Sequence, residues 1–164
     1  MLARTGDRMT ERDLHAGPPR RWSEEIDGIC WLPRLIDKTR AALAGTLGDY
    51  LFGQSPMDRA LLRELGVHHR EFAAIVGAAP NDDAVLAAIA TRDPAALSRA
   101  RAWSAAMPGR NRLFLWLLDV DDGYRSSAFV APVKAGASVI SRTVKWLWPS
   151  RASEPPAGSG ATRR

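Results

Sequence analysis

The residues with the strongest chemical potential lie in the first half of the chain. Asp37 and Lys38 are adjacent, and Tyr50 follows them after a glycine-rich turn. A carboxylate, an amine and a phenol that share one pocket could hold a polar ligand or transfer a proton. Trp103 and Asp119 are later residues that could complete such a pocket. We therefore predict a ligand-binding site made of these five residues, and we assign no catalytic residue.

The Asp37 carboxylate also has a purely structural interpretation. It lies three residues after Arg34 and three residues before Arg40, which is the spacing of ion pairs along one face of a helix. Such pairs on a solvated surface contribute only about 0.3–0.5 kcal/mol each. The sequence leaves both interpretations open, the ligand site and the solvated ion-pair face.

The sequence predicts no metal site and no cofactor. His68 and His69 are adjacent, so on a helix their side chains point roughly 100° apart and share a metal ion poorly. Cys30 is the single cysteine, which is incompatible with the ligand spacing of a zinc site. The acidic run Asp119–Gly123 fails as a calcium loop because its glycine is fifth rather than sixth. Cys30 has apolar neighbours on both sides, and we expect it to be a core thiol.

Periodic apolar residues and capping signals predict a series of short helices. The first begins at Leu32 and ends at Gly45. The second begins at Ser55-Pro56, where serine can cap the helix and proline suits its first turn. Three further helix starts are predicted at His68, Asn81 and Asp93-Pro94.

Two later stretches follow these helices. Met107-Pro108-Gly109 predicts a turn. The run Leu113–Leu118 has consecutive apolar residues, which favours a helix buried on most sides, although a buried strand has the same pattern. We expect the helix because no partner strand is evident elsewhere.

The elements predict a mainly α-helical fold. We expect a small orthogonal bundle of about five to six short helices, with an additional C-terminal amphipathic helix. The predicted organisation is a flexible N-terminal arm over residues 1–21, a helical domain over residues 22–124, a basic amphipathic segment over residues 125–149 and a disordered tail over residues 150–164.

Positive charge is concentrated at the C-terminal end. Residues 1–124 carry 16 Lys/Arg and 17 Asp/Glu, a net charge of −1, whereas residues 125–164 carry seven basic residues and one acid, a net charge of +6. A nucleic-acid-binding body would show a basic patch of its own, so nucleic acid is the least expected partner. The side chains predicted to contact a membrane or a partner protein are Lys134, Arg142, Lys145, Trp146 and Trp148.

This C-terminal segment has three interpretations, which are docking on the domain, contact with an anionic membrane surface, and non-specific contact with nucleic acid.

The lone cysteine, the absence of a signal-like stretch and the absence of a long apolar run predict a cytoplasmic protein, or one peripheral to a membrane. We expect a non-enzymatic module that binds a protein partner or a ligand. An enzyme or small-ligand binder with a polar pocket around Asp37, Lys38 and Tyr50 is the alternative.

The sequence also resembles a bacterial family known as domain of unknown function 5069, or DUF5069. The resemblance covers roughly residues 22–124, and its most specific part is LPRLIDK (32–38) followed by AGTLGDY (44–50). It implies a small helical bacterial protein and carries no established activity or catalytic residues. The matching segments are Asp27–Ala41, Leu43–Tyr50, Asp58-Arg59, Ala102–Ser104 and Leu118–Tyr124.

Overall fold

The computed structural model describes residues 12–125. Helices dominate this part of the chain, which confirms the mainly α-helical fold class with about six short helices. The predicted C-terminal amphipathic helix and its contact residues Lys134, Arg142, Lys145, Trp146 and Trp148 lie outside the described residues.

The described elements are a short hairpin followed by six helices. Their bounds are β1 Glu25–Ile26, β2 Ile29–Cys30, α1 Leu32–Ala44, α2 Pro56–Glu64, α3 His69–Ala78, α4 Asp82–Arg92, α5 Ala96–Arg110 and α6 Arg112–Asp121. Within residues 12–125, none of these helices has the length and hydropathy needed to cross a bilayer.

The hairpin leads the chain into α1. Its strands are antiparallel, with Ile26 opposite Ile29, and Asp27-Gly28 forms the turn between them. Both turn residues have positive φ angles, 54° and 71°, which is the backbone of the two-residue turns that suit the twist of a hairpin. The hairpin therefore places Ile29 in the core.

Helix α1 is the central element of the domain. Every residue from Ile29 to Thr39 is buried, so the first two turns of α1 have no solvent-facing side. The predicted start at Leu32 and stop at Gly45 are confirmed, and the N–H of Gly45 bonds back to the last carbonyls of the helix. A helix that is buried on all sides normally carries only apolar residues, but α1 also carries charged ones.

The apolar core contains residues of α1, of the five other helices and of the hairpin. Phe72 of α3 and Leu61 of α2 are fully buried, as is Val85 of α4. The predicted cap Ser55 is confirmed, because its side chain accepts a hydrogen bond from the N–H of Asp58 in the first turn of α2. His68 and Asn81, which were predicted as helix starts, also cap α3 and α4 with their side chains. Local sequence signals therefore define where these helices begin.

The turn predicted at Met107-Pro108-Gly109 is wrong, because α5 continues through it to Arg110. Pro108 has no N–H, so the carbonyl of Ser104 one turn earlier loses its helical donor. The Cys30 thiol lies 3.7 Å from that carbonyl and provides a replacement contact. Cys30 of the hairpin thus packs against the part of α5 where proline removes a helical hydrogen bond.

The prediction that Leu113–Leu118 is a helix is confirmed, but the prediction that it is buried on most sides is wrong. Leu115 is buried, whereas Leu113 is 72% exposed, Phe114 44% and Trp116 36%. Helix α6 is the last described helix and covers the bundle with one face only. Among residues 12–125, no further element covers its other face.

We expect that replacing Gly53 with alanine destabilises the domain. Its φ is +71°, and an added Cβ would lie 2.5 Å from Cβ of His69. We expect Gly53→Ala to lower the free energy of unfolding by about 1–3 kcal/mol in urea denaturation. Gly109→Ala is the matched control, because nothing lies within 4 Å of its added Cβ and α5 is helical there. That variant should be neutral or gain up to about 1 kcal/mol. Equal losses in the two variants would contradict the steric argument.

Candidate functional site

Lys38 of α1 forms a buried ion pair with Asp58 of α2. The Lys38 Nζ atom lies 2.6 Å from each oxygen of the Asp58 carboxylate. The same carboxylate accepts hydrogen bonds from Nε1 of Trp31 at 2.9 Å and from the backbone N–H of Gly53 at 3.0 Å. Asp58 is fully buried and Lys38 nearly so. Four donor contacts therefore compensate for the removal of this carboxylate from water.

Burial lowers the pKa of the Lys38 ammonium, because a charged amine loses hydration inside the protein. The nearby Arg34 guanidinium lowers that pKa further, whereas Asp58 and Asp122 raise it. The ammonium is also 5.5 Å from the centre of the Trp31 ring, in the range of a cation–π contact. Lys38 is thus an electrostatically perturbed group within the predicted ligand site.

Tyr50 belongs to a second buried cluster, centred on Arg34 and Asp122. Arg34 donates to the Asp122 carboxylate at 2.7 and 3.3 Å, and the Tyr50 hydroxyl donates to the same carboxylate at 3.0 Å. The Arg34 guanidinium lies 5.5 Å from the ring centres of both Trp31 and Tyr50. Burial, followed by the Asp122 charge, raises the pKa of the Tyr50 phenol, so this hydroxyl acts as a donor and stays neutral.

Asp37 is buried and bound to Arg20, so the interpretation of a solvated ion-pair face is wrong. Arg20 donates through Nε to both Asp37 oxygens at 3.0 and 3.1 Å, and its backbone N–H adds a bond of 2.8 Å. The Arg20 Nη1 atom also reaches Asp82 of α4 at 2.7 Å, and Arg40 contacts that aspartate at 2.8 Å. Arg34 pairs with Asp122 instead. Tertiary contacts therefore replaced the pairing predicted along the helix.

Arg21, the residue after Arg20, is paired with Asp119 of α6. The guanidinium of Arg21 contacts the two Asp119 oxygens at 2.9 and 2.5 Å. The Tyr124 ring lies beneath the same guanidinium, and the Tyr124 hydroxyl donates to the carbonyl of Pro19 at 2.9 Å. Arg20 and Arg21 together connect residues 19–21 to α1, α4 and α6.

Trp103 does not join this group. It lies on α5 and packs against the apolar core, and no hydrogen bond or ring contact described within residues 12–125 links it to Asp37, Lys38 or Tyr50. Its neighbour Ser104 instead contacts Cys30. The Ser104 hydroxyl accepts from the Cys30 N–H at 2.8 Å and donates to the thiol at 2.9 Å.

A shallow cleft of about 300 Å³ lies beside the hairpin rather than at the predicted pocket. Cys30 and Ser104 line it together with Trp22, Glu25 and Pro108. Burial raises the pKa of the Cys30 thiol, which keeps it protonated and unreactive. The expectation of a buried core thiol is confirmed.

Sequence reasoning missed five residues of the ionic clusters. Each of them pairs with a residue that is distant in the chain, so helical periodicity contains no signal for the contact. The two arginines were assigned to the N-terminal arm, and none of the three aspartates was predicted to pair with a basic residue. The missed residues are Arg20, Arg21, Asp58, Asp82 and Asp122.

Four of the five residues of the predicted ligand site are bonded within the fold. Asp37, Lys38, Tyr50 and Asp119 all lie in ionic clusters, and each is already bonded to a protein group. Residues 12–125 contain no group of three or more His, Cys, Asp or Glu side chains that could hold a metal ion. The ligand-binding role of these residues stays a prediction.

Breaking the Lys38–Asp58 pair should be costly. We expect Lys38→Met and Asp58→Leu each to lower the free energy of unfolding by about 3–5 kcal/mol, because each leaves a buried charge without a partner. The double variant should lose much less than the sum of the two, as measured by urea denaturation in a double-mutant cycle. Arg63→Met removes one partner of the exposed Arg63–Glu64 pair and serves as the control. A Lys38→Met variant as stable as Arg63→Met would show that the buried pair does not stabilise the domain.

The two adjacent histidines form a second titratable feature, at the start of α3. Their ring centres are 4.1 Å apart, and the His69 ring packs edge-on against Phe52. Partial burial lowers the pKa of His69 below its ordinary 6.5, and the neighbouring His68 and Arg70 lower it further. The folded protein therefore binds a proton at His69 more weakly than the unfolded chain does.

That difference predicts an acid-sensitive contribution to stability. Because the folded-state pKa of His69 lies below 6.5, the contribution is present above pH 6.5 and is lost as the pH falls through the folded-state pKa. We expect the free energy of unfolding to decline less with acidification in His69→Gln than in the parent. The exposed His15 provides the control variant His15→Gln, which should follow the parent. Identical pH profiles for His69→Gln and the parent would contradict the assignment.

Comparison with known proteins places the chain in a family. No curated protein matches it. Residues 16–113 match the family described as Domain of unknown function (DUF5069), which agrees with the resemblance in LPRLIDK and the turn that follows it. This match covers more than half of the chain, from the residues before the hairpin to the start of α6. The chain therefore belongs to the DUF5069 family.

Proposed function

We propose that this protein is a non-enzymatic helical module whose basic C-terminal segment attaches weakly to an anionic membrane surface. The observation that carries the proposal is the separation of charge. The body holds its α1 charges in internal pairs, whereas the positive excess of the chain follows Tyr124.

The body supports the non-enzymatic part of the proposal. The carboxylates of Asp37, Asp58, Asp119 and Asp122 each have an arginine or lysine partner at 2.5–2.8 Å. A general base needs a lone pair that faces the substrate, and these carboxylates are instead used within the fold. The helical body is best explained as a rigid carrier.

The C-terminal segment supports the attachment part. Residues 125–164 carry a net charge of +6, and each basic residue near an anionic membrane contributes about 1 kcal/mol. Trp146 and Trp148 are of the residue type that is enriched at membrane interfaces. Single weak signals give reversible attachment, so charge and aromatic residues are expected to act together. We place the protein in the cytoplasm, where Cys30 stays reduced.

Ligand binding around Asp37, Lys38 and Tyr50 is the second candidate. One observation favours it, the lowered pKa of the buried Lys38 ammonium, because perturbed ionisable groups concentrate at functional sites. A ligand there would have to displace Asp58 from Lys38 or Asp122 from Tyr50. Structural ion-pair networks perturb pKa values in the same way, so we rank this candidate second.

The attachment is tested with vesicles of phosphatidylserine and phosphatidylcholine in a sedimentation assay. The triple variant Lys134→Gln, Arg142→Gln, Lys145→Gln should partition roughly 100-fold more weakly than the parent, because three charges contribute about 1 kcal/mol each. Binding of the parent should also fall as salt is raised.

The matched control removes three exposed cations from the body, Arg59→Gln, Arg70→Gln and Arg110→Gln. It has the same net charge as the test variant and should bind almost as the parent does. Equal losses in both triple variants would mean that only total charge matters. Unchanged binding of the test variant would overturn the proposed role of the segment and leave protein docking as its explanation.

A further inference from the structure

The cleft of about 300 Å³ beside the hairpin, which we call the hairpin cleft, is built from three parts of the chain. Its walls come from the hairpin, from α5 and from the segment before β1. The volume lies at the lower end of the roughly 300–1,000 Å³ that is usual for small-molecule sites. The ion pairs around α1 do not line it, so its polar groups are separate from the ionic clusters.

Contacts at two positions hold the hairpin against α5 and fix the walls of the cleft. At the turn, Nε of Arg101 donates to the carbonyl of Asp27 at 2.9 Å, and the guanidinium also pairs with the Asp27 carboxylate. At β2, the N–H of Cys30 donates to the Ser104 hydroxyl at 2.8 Å. A cleft whose walls are already linked is preorganised, which lowers the cost of ordering the protein around a ligand.

Glu25 supplies the charge of the hairpin cleft. It is the one charged residue among the lining residues described within 12–125, and its side chain is exposed. Within the same part of the chain, this carboxylate has no hydrogen bond or ion pair. Arg101 lies against Gly28 of the lining, but it is paired with Asp27. The cleft therefore has a negative charge that no described neighbour neutralises.

The Glu25 charge acts across the cleft as far as its inner wall. Burial is the main cause of the raised pKa of the Cys30 thiol, and the Glu25 charge raises that pKa further. Trp22 lines the cleft as well, and indole is the aromatic group that attracts organic cations most strongly. A carboxylate and an indole at one cleft form a suitable environment for a positively charged group.

We propose that the hairpin cleft binds a small organic cation, an amine or a guanidinium on a short apolar chain. The positive group pairs with Glu25 beside Trp22, and the apolar chain covers the wall that contains Ala105 and Pro108. An anionic ligand has no basic partner among the described lining residues. A ligand much larger than four or five carbon atoms would extend out of a cleft of this volume.

The openness of the site predicts weak binding. One exposed charge contact and a short apolar chain correspond to a dissociation constant on the order of 1 mM. This binding is independent of the proposed membrane attachment, because it uses no residue after Tyr124. Failure of one proposal therefore leaves the other unchanged.

The ligand class is tested by NMR titration of the full-length chain at constant ionic strength. The probes are n-butylguanidine, the neutral n-butanol and the anionic butyrate. We expect n-butylguanidine to bind and the other two to bind at least about tenfold more weakly, because they lack the charge that pairs with Glu25. Equal affinity of the cation and the alcohol would overturn the proposed selectivity. No binding of the cation up to about 20 mM would overturn the site itself.

The role of the carboxylate is tested with Glu25→Gln, which should weaken binding of n-butylguanidine by about tenfold. Glu24→Gln is the matched control, because Glu24 is the adjacent exposed glutamate and does not line the cleft. Its affinity should stay within about twofold of the parent. Equal losses in the two variants would show that general surface charge, rather than the cleft, attracts the cation.

The location is tested by filling the cleft from α5. Ala105 is exposed and lines the cleft, so Ala105→Leu should block binding while the unfolding midpoint stays close to that of the parent. Ala102→Leu is the matched control, because Ala102 is exposed on α5 and lies outside the lining. It should bind as the parent does. Unchanged binding in Ala105→Leu would place the cation elsewhere and overturn the assignment.

Discussion

The fold depends on the neutralisation of charge around a helix that has no exposed side in its first two turns. Lys38 brings an ammonium into the centre of the domain, and leaving it there alone would cost several kcal/mol. Asp58 compensates that charge, and Trp31 and Gly53 satisfy the remaining capacity of the carboxylate. The position of α2 and of the loop before it therefore follows from one buried ammonium. Apolar packing supplies most of the stabilising energy, but it does not specify how α2 is positioned against α1.

The same constraint is repeated around α1 with arginine as the cation. Arg34 pairs with Asp122 and Asp37 pairs with Arg20, so the chain on either side of the helix is drawn onto it. Arginine suits these positions because its planar guanidinium forms paired bonds with a carboxylate and packs flat against aromatic rings. The result is a network that connects residues near both ends of the described chain. It links α1 to the chain before the hairpin, to α2 and to the end of α6, and it uses the charges of Arg34, Asp37 and Lys38 within the fold.

The functional proposals concern the charged and apolar groups that this ion-pair network does not use. Internal pairing uses the charges of α1, and residues 1–124 have a net charge of −1, so net attraction to an anionic surface has to come from the segment after Tyr124. The network also holds α6 by its inner side, through Asp119 and Asp122, and leaves the apolar outer side without a described neighbour.

Local sequence determined the helices, because caps, prolines and apolar periodicity act within a few residues. The start of α2 at Ser55-Pro56 and the core position of Cys30 were both predictable in this way. Tertiary structure alone decided which charges meet and which side of α6 stays exposed. Arg21 and Asp119 are 98 residues apart, and periodicity contains no information about such a contact. Pro108 predicts a turn from the local sequence, but α5 continues through it. The Cys30 thiol, which comes from the distant hairpin, contacts the Ser104 carbonyl that proline leaves without a helical donor. Long-range pairing depends on how the elements pack in space, which no local pattern encodes.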